Sequence, residues 1–359
     1  MWYQWLISLP MMVCLFWCVY FLIRCIGRMG EPHVRYSILL FYIASAILYA
    51  DHWLYFSDVS SFCGSYTYAL TNLSVYPLYY AYLRALTRQK RDMELFLLFI
   101  PALIMLVFYP LNHIFGWTGH DNVMIPARIC FAIQVVWVWM RGSRLVRNTR
   151  RRLDNTYADN RSYLLQPTHI LLVLISATAA ASMMLNLLGR DAFEGSLLVS
   201  IPAVCMSVLL YGLGYVAANT TLPPETVALQ DEQEEDKATT EETDALMHKI
   251  ATALREERLF TNPHLTIQDL AAAVSSNRTY VSNCINRRTG LSFSQYVARY
   301  RVEHAQQILR TPQYPSDHEA IADAVALSGF SSDQSFYRIF KEVTGTTPLQ
   351  YRRLNLPQA

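Results

Sequence analysis

At 359 residues the chain has room for two or three domains, and 30 Lys+Arg against 28 Asp+Glu leave a net charge of +2 that singles out no partner by bulk electrostatics. The mean hydropathy is positive, +0.16, but the charges are unevenly placed. Residues 1–218 carry long apolar runs and residues 219–359 are polar and charged, which argues for a membrane part followed by a soluble part. Of the seven cysteines, Cys14, Cys18, Cys25, Cys130 and Cys205 lie in apolar runs, Cys284 in an expected helix, and Cys63 in an expected external loop without a mate, so no disulfide framework is indicated. Cys14 and Cys18 share a helix face but have no His or carboxylate beside them, and apolar packing is the reading adopted.

The opening Met1-Trp2-Tyr3-Gln4-Trp5 lacks a basic stretch, and no small-residue cleavage site follows the first apolar run. That run is expected to be a retained span. Seven segments meet the requirement of about 20 mostly apolar residues: 3–23, 36–56, 66–86, 94–114, 123–140, 168–188 and 195–217. The third is rich in tyrosine (Tyr66, Tyr68, Tyr76, Tyr79, Tyr80, Tyr82) and is expected to face its neighbours rather than lipid.

The loops give an independent check through the excess of Lys and Arg on cytoplasmic connections. Arg24, Arg28 and Arg35 flank the first loop and Arg88, Lys90 and Arg91 the third. Arg141, Arg144, Arg147, Arg150, Arg151, Arg152 and Arg161 crowd the fifth, whereas the alternate loops are nearly free of basic residues, Arg190 apart. This pattern places the N-terminus outside and the C-terminal part in the cytoplasm. The run at 141–152 is read as a topological anchor rather than a nucleic-acid or anionic-lipid patch, because the charge bias already accounts for it.

Ionisable residues within spans are functional candidates. Asp51 and His52, near the outer end of the second span, and Arg128, near the outer end of the fifth, could line an outward-facing, cue-sensing pocket; snorkelling to the interface is the plainer alternative. No paired carboxylates, zinc-type histidine motif or Gly/Pro-broken helix pair marks a protease or transporter, and no convergent acid, base and nucleophile set marks an enzyme. No metal site and no cofactor are indicated.

Residues 219–244 read as an acidic, disordered linker. Nine acids and one Lys fall within 225–244, and low hydrophobicity with like charge opposes folding. As a flexible coil the 26 residues would span roughly 28 Å.

Asp244 is a plausible N-cap for a helix at 245–258, with Leu246, Ile250 and Leu254 on its apolar face. Beyond Pro263 a short helix carries Ile267, Leu270, Ala271 and Val274. Ser275-Ser276-Asn277 make a turn, and a second helix from Arg278 to Arg287 points Val281 and Ile285 inward before Gly290. A longer helix follows at about 293–310. The short-helix, turn, helix pattern then repeats: Ile321, Ala322, Val325 and Ala326; Leu327-Ser328-Gly329-Phe330; and a helix at 332–343 that buries Phe336 and Phe340. Gly345 ends it, and Pro348 opens a last short helix.

This C-terminal segment, 245–359, resembles the DNA-binding domain of the AraC/XylS family of bacterial transcription regulators, with two helix-turn-helix units at about 267–288 and 319–343. The resemblance rests on Leu270-Ala271, Arg287-Arg288-Thr289-Gly290, Tyr296, Arg301, Ile308-Leu309, Ile321-Ala322 and Gly329-Phe330, and above all on Phe336-Tyr337-Arg338-Ile339-Phe340-Lys341, Thr344-Gly345-Thr346-Thr347-Pro348 and Tyr351-Arg352. Ile285-Asn286 departs from the family's usual aromatic-Lys pair. In layout only, the remainder resembles multi-span regulators of this type.

Hydropathy and loop charge imply a seven-helix transmembrane bundle over 1–218, and the resemblance implies an all-α tandem helix-turn-helix domain after it, so an all-α chain is expected. It implies that Arg278, Thr279, Ser282 and Asn283 in the first unit, and Asp333, Gln334, Ser335 and Arg338 in the second, face base edges in two successive major grooves. Arg287, Arg288, Lys341, Arg352 and Arg353 are the phosphate candidates, and isolated Arg310 is read as a solvated cation. From residue 259 on, ten Lys+Arg stand against seven Asp+Glu, a modest surplus for a DNA binder. The expected function is a membrane-anchored, sequence-specific transcription regulator of the bacterial inner membrane. Its expected partners are double-stranded DNA and the lipid bilayer, with RNA polymerase and a second copy of the chain as further candidates. The alternative is a receptor or transport protein whose helical tail docks a protein partner. It has less support, since a docking helix would not need a polar recognition face twice.

Overall fold

The computed structural model describes residues 2–56, 62–89, 93–118, 120–159, 161–187, 200–220, 222 and 240–356. Among these residues the architecture is all-α, and the only β-type pairing is an isolated antiparallel bridge between Tyr157 and Thr266. The chain divides into two compact units, one comprising 1–148 and 164–227, the other 149–163 and 228–359. The second unit therefore contains a segment from the fifth loop as well as the C-terminal part.

In the first unit α1 (Trp2–Ile26), α2 (Pro32–Phe56), α3 (Phe62–Leu86), α4 (Met93–Phe115), α5 (His120–Thr156), α6 (Gln166–Leu187) and α7 (Ser200–Asn219) stand where the seven spans were expected. Six segments among the described residues are long and apolar enough to cross a membrane: Trp5–Ile26, Pro32–Leu54, Met93–Phe115, Val123–Thr156, Arg161–Ala181 and Ser200–Asn219. The exception is α3, whose tyrosines and threonines lower its hydropathy. Its surroundings explain why that composition is tolerated. Leu73, Tyr76, Tyr79, Tyr80, Tyr82 and Leu83 are all buried, so this helix is enclosed by its neighbours as its tyrosines suggested. The Tyr76 hydroxyl donates to the Ile175 carbonyl at 3.2 Å.

The outer helices are built the opposite way. Leu15, Phe16 and Val19 on α1, Ile104 and Val107 on α4, Ile129 and Ile133 on α5, and Val208 on α7 are exposed. Water would penalise so continuous an apolar exterior, whereas hydrocarbon accepts it. Close packing locks α1 to α7: a Cβ on Gly214 would come within 2.2 Å of the Trp17 ring, so no larger residue fits. The Tyr42 hydroxyl, also buried, donates to the Leu210 carbonyl at 2.7 Å and ties α2 to the same helix.

The second unit holds the last turns of α5, α8 (Thr240–Arg255), a 3-10 turn at Leu259–Thr261, α9 (Ile267–Ala273), α10 (Arg278–Thr289), α11 (Phe293–Leu309), α12 (Asp317–Leu327), α13 (Asp333–Thr344) and α14 (Pro348–Asn355). It has two cores. Ile250, Leu254, Leu270, Val281, Ile285, Phe293 and Val297 fill the first; Val302, Ala305, Leu309, Ala324, Phe336 and Phe340 fill the second. The long helix α11 runs through both, its N-terminal half contributing to one and its C-terminal half to the other. Ile285 is fully buried, so the departure at Ile285-Asn286 leaves the first core intact.

Two local expectations change. The helix expected at 245–258 begins at Thr240, so Asp244 lies inside α8, where its carboxylate pairs with Arg288 instead of capping. Acidic residues in the first turn suit the helix dipole, which lets the acidic tract enter the helix earlier than its charge suggested. Of the linker expected over 219–244, residues 221 and 223–239 lie outside the described residues, as do Arg190 and the side chain of Cys63.

Candidate nucleic-acid interface

Both helix-turn-helix units are set by side-chain caps. In the first, Thr266 and Asp269 form a reciprocal capping box at the start of α9: the Thr266 amide donates to Asp269 Oδ2 at 2.8 Å and the Asp269 amide to Thr266 Oγ1 at 3.3 Å. The turn passes through Ser275 in the left-handed region (φ 53°). Asn277 then caps α10, accepting from the Tyr280 amide at 2.8 Å. In the second unit Ser316 caps α12 and Ser332 caps α13, each accepting at 3.2 Å from the amide three residues on. Caps of this kind fix where each recognition helix starts, and hence which side chains lead into a groove.

The turn of the second unit depends on Gly329. It sits at φ +77°, and a Cβ there would lie 2.4 Å from the Phe260 carbonyl oxygen and 2.7 Å from the Thr261 carbonyl carbon. The turn of one unit thus abuts the backbone preceding the other. Arg301, only 1% exposed, closes the same junction. Its Nε donates to Phe260 O at 2.9 Å, Nη2 to Asn262 O at 2.8 Å and Nη1 to Ala158 O at 3.3 Å. Burial pushes its guanidinium down to about 10, against the raising influence of Asp159, so it remains charged at neutral pH. His304 lies beside it, between Ser328 and Arg258, with Nδ1 3.1 Å from Ser328 Oγ. Burial and then the neighbouring Arg258 charge lower its pKa. These contacts fix the spacing of the two recognition helices.

On α10, Val281, Cys284 and Ile285 face the core. The half-buried Arg278, Thr279, Ser282 and Asn283 share the opposite side with exposed Asn286 and Arg287. On α13, Phe336, Ile339 and Phe340 face inward, while Asp333, Gln334 and Lys341 are exposed. Each unit thus presents a polar strip on its second helix.

Two of the expected site residues occupy other places. Ser335 is buried, and its hydroxyl donates to the Ser332 carbonyl at 2.8 Å, so it belongs to the helix start rather than to the base-facing strip. Arg352 is 2% exposed. It binds Asp317 Oδ1 at 3.0 Å and the carbonyls of Leu309 and Thr311 at 3.0 and 3.1 Å, clasping the end of α11 to α12 and α14 beyond reach of a phosphate. Its neighbour Arg353 is 69% exposed, with Asp317 Oδ2 at 3.3 Å from its Nε. Arg288 meets Asp244, and Arg310 bonds and stacks on Tyr351 rather than standing alone. Arg338 is half-buried, its guanidinium carbon 4.8 Å from the Tyr163 ring centre.

One residue escaped the sequence reading. Tyr337 is 42% exposed on α13, one position before Arg338. Its helical phase, a turn on from Asp333 and before Lys341, could have placed it on the strip, but an aromatic beside Phe336 reads as core.

In the first unit of the chain, Asp51 and His52 are brought together with α3. Thr67 Oγ1 donates to Asp51 Oδ1 at 2.9 Å, and the His52 ring lies edge-to-face with Tyr68 at 5.0 Å. Arg128 lies on an exposed face of α5. Among the described residues no three His, Cys, Asp or Glu side chains cluster as metal ligands would.

Residues 270–354 match the family described as a helix-turn-helix domain, and this part of the chain is an AraC-type domain. Among similar proteins, the melibiose operon regulatory protein of Escherichia coli K12 is 32% identical over 91 residues, 25% of this chain and 28% of that protein. The uncharacterized transcriptional regulatory protein YesN of Bacillus subtilis is 32% identical over 111 residues, 30% of this chain and 28% of its own length. The Msm operon regulatory protein of Streptococcus mutans is 27% identical over 89 residues, 25% and 30% of the two chains. The match thus spans less than a third of each relative. No solved structure matches the chain.

Proposed function

We propose that this chain is a membrane-anchored, sequence-specific DNA-binding transcription regulator. The observation that carries the reading is the pair of capped helix-turn-helix units, each with a polar strip on its second helix, held at one spacing by Gly329 and Arg301. A groove reader needs this arrangement: a rigid body presenting two helices to successive major grooves. Thr279, Ser282, Asn283, Gln334 and Arg338 supply donors and acceptors for base edges, with Tyr337 as an added apolar contact. Arg287, Lys341 and Arg353 are exposed for phosphates, with Arg288 available on leaving Asp244. Relatives named as operon regulators support the same reading.

Anchoring is supported by six apolar helices with an apolar exterior. The arginine-rich odd loops favour an external N-terminus, with the DNA-binding unit in the cytoplasm of a bacterial cell. The Asp51–His52 pair against Thr67 and Tyr68 is the proposed cue-sensing locus.

The test is selection of DNA from a random pool by the full-length protein in lipid nanodiscs. A shared motif with two half-sites about one helical turn apart is expected, and Gln334→Ala should relax one base position. Equal binding of random DNA would refute direct readout. A reporter fused after residue 120 should report outside; a report from inside would overturn the topology.

A further inference from the structure

The arginines of the fifth loop argue for a topological anchor, but its second half does something more. Residues 149–163 are built into the DNA-binding unit. Tyr157 pairs with Thr266, the residue that caps α9. The Ala158 amide donates to the Leu265 carbonyl at 3.0 Å, its own carbonyl accepts from Arg301, and its side chain is fully buried in the first core. The segment then reaches the second helix-turn-helix. Asp159 Oδ2 accepts from Ser331 Oγ at 2.7 Å, immediately before the cap of α13. Tyr163 offers its ring to Arg338, and Asp154 lies within electrostatic reach of the same guanidinium.

The consequence falls on α13. Arg338 shares the polar strip with Gln334, one turn away, and is the residue there best suited to guanine. Held on Tyr163, it has Nη2 buried without a hydrogen-bond partner. A guanidinium so placed is turned from a groove, and an unsatisfied buried donor makes the contact easy to exchange for a better one. The segment has two grades of attachment. Tyr157, Ala158 and Ser162 are interior, whereas the side chains of Asp159 and Tyr163 are half-exposed.

We propose that Asp159 and Tyr163 form an intramolecular clamp on the reading face of α13, and that DNA binding requires these two side chains to release Ser331 and Arg338 while Tyr157 and Ala158 stay in place. The inference rests on the DNA-reading function proposed above and adds its regulation. The clamp follows directly from the last turns of α5 and precedes α6 by a few residues. A rotation or shift of α6 therefore reaches it through the covalent chain, whereas Tyr157 and the buried Ala158 stand between it and α5.

The experiment uses the full chain in nanodiscs and its selected DNA. Tyr163→Ala and Asp159→Ala should each raise affinity, by about tenfold if the clamp couples as allosteric contacts ordinarily do. Arg338→Ala should cost more affinity in the Tyr163→Ala background than in the wild type, because only the released guanidinium reads its base. Conversely, Asp159→Cys combined with Ser331→Cys and bridged by a short bis-maleimide should bind DNA more weakly than the unbridged pair, with each single-cysteine variant treated alike as the control. A merely structural strut would give the opposite sign for the alanine variants, weaker binding with faster amide exchange across α13, and that result overturns the clamp. Selective binding indifferent to both release and bridging overturns the clamp alone. Absence of selective binding in every form overturns the DNA-reading function with it.

Discussion

Arg301→Leu is the sharpest test of the junction that sets the spacing of the two recognition helices. The substitution keeps an apolar side chain of moderate size but removes donors from three carbonyls, those of Phe260, Asn262 and Ala158. Asn262 O keeps the Leu265 amide, and each of the two acceptors left unpaired costs about 1–3 kcal/mol, so the sum is roughly 3 kcal/mol. Relief from burying a guanidinium offsets part of it, since charge in a low dielectric is itself expensive. A net loss of about 2 kcal/mol corresponds to nearly a thirtyfold change in a local opening equilibrium. Amide hydrogen exchange of the full-length protein reads this directly, because 258–266 and 157–158 depend on these bonds. Exchange should accelerate there by about that factor and remain unchanged in α1 to α4. Selectivity for two half-sites at one spacing should fall as well. Arg301→Lys should recover only part of both losses, since one ammonium cannot serve three diverging acceptors. If Arg301→Leu leaves exchange and spacing preference as in the wild type, the junction does not hold the two units and the reasoning fails.

Gly329→Ala should destabilise the DNA-binding unit by at least 2 kcal/mol, from the left-handed backbone penalty of about 1 kcal/mol per residue plus the clash with Phe260 and Thr261; urea titration followed by Trp-free far-UV signals from α8 to α14 would show it, and an unchanged midpoint would refute it. His304 has its pKa lowered by burial and by Arg258, so its neutral form stabilises the fold. That contribution is complete above the unfolded value of about 6.5 and is lost as pH falls below it toward the folded value. Stability measured between pH 7.5 and 5 should fall in the wild type and less so in His304→Gln. Arg352→Ala should cost about 3 kcal/mol of stability, as for other buried, multiply bonded cations. Arg353→Ala should cost under about 0.5 kcal/mol of stability while weakening all DNA sequences alike and lowering the salt slope by about one; equal thermal shifts for the two would contradict their assigned places.

The helices were legible in the sequence because their signals are local. Asn277, Ser316, Ser332 and Thr347 are capping residues with the amide three positions on as partner, and the buried Val281, Ile285, Phe336 and Phe340 follow from helical spacing alone. The tyrosines of α3 likewise announced a helix surrounded by others. What the sequence could not show was which member of a polar pair turns inward. Arg352 and Arg353 are adjacent and identical and both reach Asp317, and only the carbonyls of Leu309 and Thr311, 43 and 41 residues earlier, draw one inside and leave the other in water. The resemblance implies a base-facing Ser335, but a serine three residues after an N-cap can fold its hydroxyl back onto the cap carbonyl, and here it does. The role of 149–163 was hidden for a different reason. Its contacts with Leu265 and Arg301 are made by the backbone of Ala158, which carries no sequence signal.

That backbone contact also decides how release of the clamp can work. Arg301 draws its three acceptors from two places: Phe260 and Asn262 lie before α9, and Ala158 lies in the clamp segment. Asp159, next in the chain, raises the tendency of Arg301 to stay charged and accepts from Ser331. Withdrawal of the whole segment would open the first core at Ala158 and remove one of the three bonds that fix the spacing of the recognition helices. The domain would gain Arg338 for reading but lose the geometry that makes two helices read together. Movement confined to the side chains of Asp159 and Tyr163 avoids that conflict, because Ser331 and Arg338 belong to the second helix-turn-helix alone while Arg301 keeps all three carbonyls. The interior hold of Tyr157 and Ala158 thus favours a small displacement over detachment.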